Sequence, residues 1–113
     1  MFEVGRQARC TGIYFLHWEW SRFEVREPRR LLGSRVYRCQ LIDGDQLPGG
    51  PMEVLGGRLP DDWRHHRALA FDVTADVTPV EQGSFGHLGT LKWRLRVDRW
   101  VHVKPLGQRA LNR

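Results

Sequence analysis

Apolar and polar side chains alternate over a long stretch near the C-terminus, from Thr90 to Lys104. The odd-numbered positions carry apolar side chains, namely Leu91, Trp93, Leu95, Val97, Val101 and Val103. The even-numbered positions carry charged side chains, a histidine and one tryptophan, namely Lys92, Arg94, Arg96, Asp98, Trp100, His102 and Lys104. A period of two is typical of a half-buried β-strand, so the pattern predicts one long strand with the first set facing inward. Arg99 interrupts the apolar parity and predicts a bulge or bend midway.

Four earlier segments also have strand-like patterns. They are Phe2 to His17, Ser21 to Arg26, Arg35 to Asp43 and Ala68 to Val77. In the last of these the odd-numbered residues are apolar, which predicts that they face inward. Gly5 and Gly12 interrupt the first segment, at points where a strand can coil sharply.

The middle of the chain has a different character. Residues 47–57 are rich in proline and glycine and predict mainly a loop, with room for a short strand from Met52 to Leu55. The segment from Pro60 to Arg67 begins with proline and two acids and ends with bases, which predicts a short helix near residues 60–67.

This order of elements defines the expected fold. Five strands with one helix between the third and the fourth favour an all-β fold with a minor α component. The specific expectation is a small five- to six-stranded barrel of the OB-like Greek-key type, with a β-sandwich as the alternative. We expect a single domain over residues 1–107 and a frayed tail over residues 108–113.

The composition bears on the cellular location of the protein and on its net charge. No segment approaches the roughly 20 apolar residues of a membrane-spanning helix, and the charged, strand-like N-terminus does not resemble a signal peptide. We therefore expect a cytoplasmic protein in which Cys10 and Cys39 are reduced, packed thiols. The formal net charge is +5, and 16 of the 18 basic residues are arginine. Two explanations for this bias stay open: arginine binds phosphate well, and a GC-rich genome uses arginine in place of lysine.

The glycine-rich segment Gly83 to Gly89 predicts a hairpin loop between the last two strands. With its neighbours from Glu81 to Val97, it resembles the end of small uncharacterised bacterial β-domain proteins that carry Gly-x-Tyr-Gly-His-Leu-Gly there. The run from Trp18 to Phe23 is similar to an upstream pattern of theirs, Phe-Glu-x-Ser-x-Phe. The resemblance covers about a quarter of the chain and implies a β-domain without naming an activity.

The same resemblance implies a shared structural role for Glu19, Ser21, Phe23 and His87. A histidine in a glycine-flanked hairpin can form hydrogen bonds through both ring nitrogens, so we expect Glu19 or Ser21 to hold His87 and lock the loop to the sheet. No nucleophile elbow or oxyanion hole accompanies these residues, so we predict no catalytic residue. A small hydrolase or metal-binding domain built on His17, Glu19 and His87 is the third alternative, and no metal or other cofactor is predicted.

Basic side chains mixed with an aromatic ring on a strand face suit single-stranded nucleic acid, which needs charge for its backbone and a ring for stacking. The predicted binding residues are Arg29, Arg30, Arg35, Arg38, Lys92, Arg94, Arg96, Trp100 and His102. The leading hypothesis is a non-catalytic module whose basic face binds an anionic partner, most simply single-stranded nucleic acid. The alternative is an accessory subunit that docks on another protein through a Trp-Arg patch or an edge strand. We predict no membrane partner, and the oligomeric state stays open.

Overall fold

The computed structural model of the chain describes residues 2–17, 21–29, 36–63, 67–86 and 89–110. Within these ranges the elements are β1 (Ala8–Leu16), β2 (Arg22–Glu27), β3 (Tyr37–Ile42), α1 (Pro51–Val54), β4 (Arg67–Phe85) and β5 (Leu91–Ala110). The predicted order of five strands, with a helix between the third and the fourth, is therefore confirmed. β5 continues through residues 108–110 of the predicted tail, and residues 111–113 lie outside the described part of the chain.

The five strands form one closed barrel in the order β1-β2-β3-β5-β4, and the β1–β4 pair closes the ring. All neighbouring strands are antiparallel except β3 and β5, which run parallel. The fold is thus the predicted small all-β barrel. A two-sheet sandwich does not describe it, because a single sheet closes on itself.

The barrel interior is filled by inward side chains from all five strands. Those with no exposed surface are Cys10, Phe23, Val25, Cys39, Phe71, Val73, Ala75, Val77 and Leu95. The β4 members confirm the inward face predicted from the odd-numbered residues. Both cysteines are free thiols, and burial raises the pKa of Cys10 to about 12 and that of Cys39 still further above its ordinary value. The thiols are therefore protonated at neutral pH and behave as small apolar side chains.

Of the helix predicted near residues 60–67, the described residues 60–63 and 67 are not helical. Residues 60–63 form a turn closed by the Trp63 amide donating to the carbonyl of Pro60, and residues 64–66 lie outside the described ranges. The helical turn is α1, in the stretch predicted to be a loop or short strand. Proline suits the first helical position there because it lacks the amide proton that this position would leave unpaired. The Glu53 carboxylate also accepts a hydrogen bond from the Gly49 amide and ties the turn to the preceding loop.

The predicted irregularity in the last strand is confirmed, but its effect was not foreseen. Val97 pairs with Val77, whereas Arg99 pairs with Asp76, so one extra residue is inserted in β5. The insertion reverses the alternation at Trp100, and a second extra residue, Val101, restores it, so that Val103 pairs with Val73 and again packs against the core. As a result Trp100 turns inward and packs against the core, while Val101 is 36% exposed. The expectation that Trp100 faces outward and Val101 inward is therefore wrong.

In the described part of the chain no helix is long and apolar enough to cross a membrane.

Candidate functional site

The parallel pairing of β3 with β5 aligns the outward side chains of the two strands. Gln40 pairs with Arg94 and Ile42 with Arg96, and the same register places Arg38 beside Lys92. Of the residues between them, Cys39, Trp93 and Leu95 are buried in the barrel and Leu41 is partly buried against its core, so these polar side chains all lie on the outer surface. We call this surface the basic face and define it by Arg38, Gln40, Lys92, Arg94 and Arg96.

Arg94 lies at the centre of the basic face and is held in place. Its guanidinium carbon lies 4.7 Å from the centre of the Phe85 ring, so the planar cation stacks on an aromatic side chain. Its Nε donates a hydrogen bond of 3.2 Å to Oε1 of Gln40, and its Nη1 lies 3.8 Å from the Glu81 carboxylate. The side chain remains 38% exposed, so one side of the guanidinium is open to a ligand.

The other two arginines of the basic face also have carboxylate neighbours. Nε of Arg38 lies 3.9 Å from Glu24, and Nε of Arg96 donates to Oδ1 of Asp98 at 3.0 Å. Both arginine side chains are about half exposed, at 53% and 47%. Because both guanidinium groups are about half exposed, a phosphate can contact either of them beside its carboxylate neighbour.

Lys92 supplies the remaining charge of the basic face. Its Nζ donates at 3.5 Å to the Ser84 hydroxyl and at 3.4 Å to the Gly89 carbonyl, and within the described residues it has no carboxylate partner. Both contacts are long, so they restrain the ammonium only weakly. Lys92 therefore carries a charge that an anion can reach without displacing a neighbouring acid.

Several predicted binding residues lie elsewhere. Arg29 follows β2, is 83% exposed and lies 3.7 Å from Glu27. Nε2 of His102 lies 3.9 Å from Asp72, six positions beyond Arg96, which is about 20 Å along a strand. His102 is thus remote from the basic face. Arg30 and Arg35 lie outside the described residues.

Trp100 is covered by the loop that follows β3 and does not offer a free ring for stacking. Its Nε1 donates to the Gly44 carbonyl at 2.9 Å. A Cβ added at Gly44 would lie 2.7 Å from this ring and one at Gly50 would lie 2.9 Å from Nε1, so the loop backbone rests on the indole. The predicted stacking role of Trp100 is therefore not supported. The glycines of this loop are a sequence signal for the burial of Trp100, since glycine allows a backbone to approach a neighbouring side chain closely.

The predicted loop lock is described at only one of its three residues. The Ser21 hydroxyl donates to the His17 carbonyl at 2.8 Å and accepts from the His17 amide at 3.0 Å, which ties the residue after β1 to the residue before β2. Glu19 and His87 lie outside the described residues, so their predicted pairing stays a prediction.

Two residues of the site were not found from the sequence, namely Phe85 and Gln40. Phe85 lies in the glycine-rich segment whose pattern predicts a hairpin loop, although β4 extends through it. Gln40 gains its role only from the parallel register with β5, which no local pattern reveals.

Within the described ranges no group of three or more histidine, cysteine or acidic side chains is placed to hold a metal ion. Comparison with protein-family models, with curated proteins and with solved structures gave no match.

Proposed function

We propose that this protein is a non-catalytic module that binds single-stranded nucleic acid along the basic face. The observation that carries the proposal is the parallel β3–β5 register, which aligns Arg38, Lys92, Arg94 and Arg96 on one outer surface. The strand order and the helix between β3 and β4 also suit an OB-like barrel, a class that binds oligonucleotides on the side of the barrel.

The chemistry of the basic face suits a flexible polyanion. Guanidinium groups bind phosphate through two hydrogen bonds, and the net charge of +5 attracts an anionic strand. The stacked pair of Arg94 and Phe85 adds a flat surface on which a base can rest, in the role first expected of Trp100. A reducing compartment such as the cytoplasm suits the free thiols of Cys10 and Cys39.

The proposal is tested by fluorescence anisotropy of labelled single-stranded DNA and RNA of about 16 nucleotides. Each phosphate contact contributes about −0.7 to the slope of log affinity against log salt, so four contacts give a slope of about −2.8. We expect the double variant Arg94→Ala with Arg96→Ala to bind more weakly and to reduce the slope to about −1.4. Titrations at about 50 and 200 mM salt measure the change.

A matched control separates the basic face from net charge. The double variant Arg58→Ala with Lys104→Ala removes the same charge from positions outside the basic face, so its slope should match the unaltered protein. Conversely, Glu81→Gln removes the acid beside Arg94 and should tighten binding. Equal losses in both double variants, or no binding by the unaltered protein at low salt, would contradict the proposal.

A protein partner is the second candidate, and one observation favours it. Beyond Val97, β5 pairs only with β4 among the described strands, so its other edge can accept a strand from a partner. Binding through backbone hydrogen bonds would respond little to salt. If oligonucleotides fail to bind, this edge is the next surface to examine.

A further inference from the structure

A cavity of about 330 Å³ opens where β3 and β5 begin. Its lining includes Tyr37, Arg38, Gln82, Thr90, Lys92 and Trp93. Arg38 and Lys92 also belong to the basic face, so the cavity and the basic face are continuous. A strand that follows the basic face from Arg96 toward Lys92 therefore reaches the mouth of the cavity.

The aromatic wall of the cavity is held by a residue from the N-terminal segment. The ring of Phe2 packs edge-on against Tyr37 at 5.6 Å and against Trp93 at 5.5 Å, and Phe2 itself is only 4% exposed. The Gly5 amide donates to the Pro79 carbonyl at 2.8 Å and fastens this segment to β4. The Tyr37 ring is thus positioned before any ligand arrives, while Trp93 is only 5% exposed and belongs to the barrel core behind it.

The cavity also has polar lining residues. Gln82 pairs with Trp93 across β4 and β5, and its side-chain amide can both donate and accept hydrogen bonds. Arg38 and Lys92 add two positive charges at the rim. An apolar ring wall, one amide and two cations together match a ligand that combines a flat heterocycle with a phosphate.

We propose that this cavity is a nucleotide subsite that takes one base of the bound strand. The base lies against Tyr37, Gln82 contacts its edge, and the attached phosphate lies at Lys92 and Arg38. The volume falls at the lower end of the range for small-molecule sites, which suits a single nucleotide. The inference rests on the proposed function and makes it more specific, because a pocket with an amide can prefer one base.

The test uses free nucleoside 5′-monophosphates with the full chain. Two-dimensional ¹H–¹⁵N NMR follows the Gln82 side-chain amide and the Lys92 backbone amide while each of the four common nucleotides is added. We expect shifts at both groups and a preference among the bases. Inorganic phosphate should shift Lys92 but not Gln82.

Gln82 is exposed, and the variant Gln82→Leu replaces it with a side chain of similar size that cannot form hydrogen bonds. We expect it to weaken binding of the preferred nucleotide about five- to tenfold and to level the preference among bases. The matched control is Gln46→Leu, at an exposed position in the loop after β3, and it should leave nucleotide binding unchanged.

The outcomes distinguish this inference from the proposed function. Nucleotides that leave Gln82 unshifted, shifts fully reproduced by phosphate, or unaltered binding in Gln82→Leu would each overturn the subsite, even if oligonucleotides still bind the basic face. Nucleotide binding that depends on Gln82, without any oligonucleotide binding, would support the cavity as a site for free nucleotides and contradict the proposed function.

Discussion

Gly12 lies where β1 changes register against β2, and its lack of a side chain allows the two strands to approach closely. A Cβ added there would overlap the backbone carbonyl of Glu24. The strand is therefore able to bend around the barrel at this residue, as the interruption of the apolar pattern predicted.

We expect Gly12→Ala to destabilise the fold by more than about 3 kcal/mol, above the usual cost of one extra methyl group, because the obstructing atom belongs to the backbone. Urea unfolding followed by tryptophan fluorescence measures the change. The control is Gly56→Ala, where the added Cβ meets nothing and only the positive φ of 79° opposes it, at a cost of roughly 1–2 kcal/mol. Similar losses in the two variants would show that crowding at Gly12 is not the cause.

Asp98 is a second residue on which several elements depend. Its carboxylate accepts hydrogen bonds from the Thr78 hydroxyl, from the Gln7 amide at 2.9 Å and from Arg96. Partial burial raises the pKa of Asp98, but these three hydrogen bonds favour the charged form and hold the pKa below its usual value. The residue thereby links the N-terminal segment, β4 and the basic face.

This lowered pKa predicts a loss of stability in acid. Since the folded-state pKa lies below the unfolded value of about 3.9, the stabilisation is present above that value and is lost as the pH falls through the folded-state pKa. We expect Asp98→Asn to lower the free energy of unfolding by about 1.5–3 kcal/mol at pH 7 and to flatten its decline below about pH 4. Urea unfolding across this pH range measures both effects, and an equally steep acid decline in the variant would contradict the assignment.

At the scale of elements, the loop after β3 and the second half of β5 form one unit around Trp100. The indole fills the space beneath Gly44 and Gly50 and packs against the barrel core. This arrangement follows from the extra residue in β5, which turns the ring from the outer surface to the inner one.

We expect Trp100→Phe to cost about 1 kcal/mol, because the ring is largely retained while the hydrogen bond to the Gly44 carbonyl is lost. Oligonucleotide affinity should be unchanged, since Trp100 lies outside the basic face. Thermal unfolding and the anisotropy titration test the two expectations together. A variant with nearly unchanged stability that no longer binds oligonucleotide would show that Trp100 belongs to the binding surface.

The elements also show which parts of the fold could be read from the sequence. The alternation in residues 68–77 placed the β4 side chains correctly because one face of that strand is uniformly buried. The same reasoning failed at Trp100 and Val101, since two inserted residues in β5 shift the alternation there and the sequence marks only the approximate position of the first. The helix was misplaced because acids and bases at the ends of residues 60–67 mimic helix termini, whereas α1 has only four residues and a proline as its signal.

Considered as a whole molecule, the candidate site was only partly predictable. Lys92, Arg94 and Arg96 were found because they lie on one strand and one parity. Arg38 was named with them, but its position beside Lys92 depends on parallel pairing between strands that are distant in sequence. Gln82 and Phe2 were not singled out, because their proximity to the basic face arises only when the barrel closes.

The closing pair of the barrel has a consequence for synthesis. Leu16 pairs with Leu69 and Ala8 with Val77, so β1 must find a partner more than fifty residues away. β4 and β5 are joined by a short turn, and closing a short loop costs little entropy. We therefore expect this hairpin to form early, as β1 does with β2, and the β1–β4 pairing to form last. Until β4 and β5 have left the ribosome, the earlier strands have no complete ring to enter, so the barrel cannot close while only β1 to β3 are free.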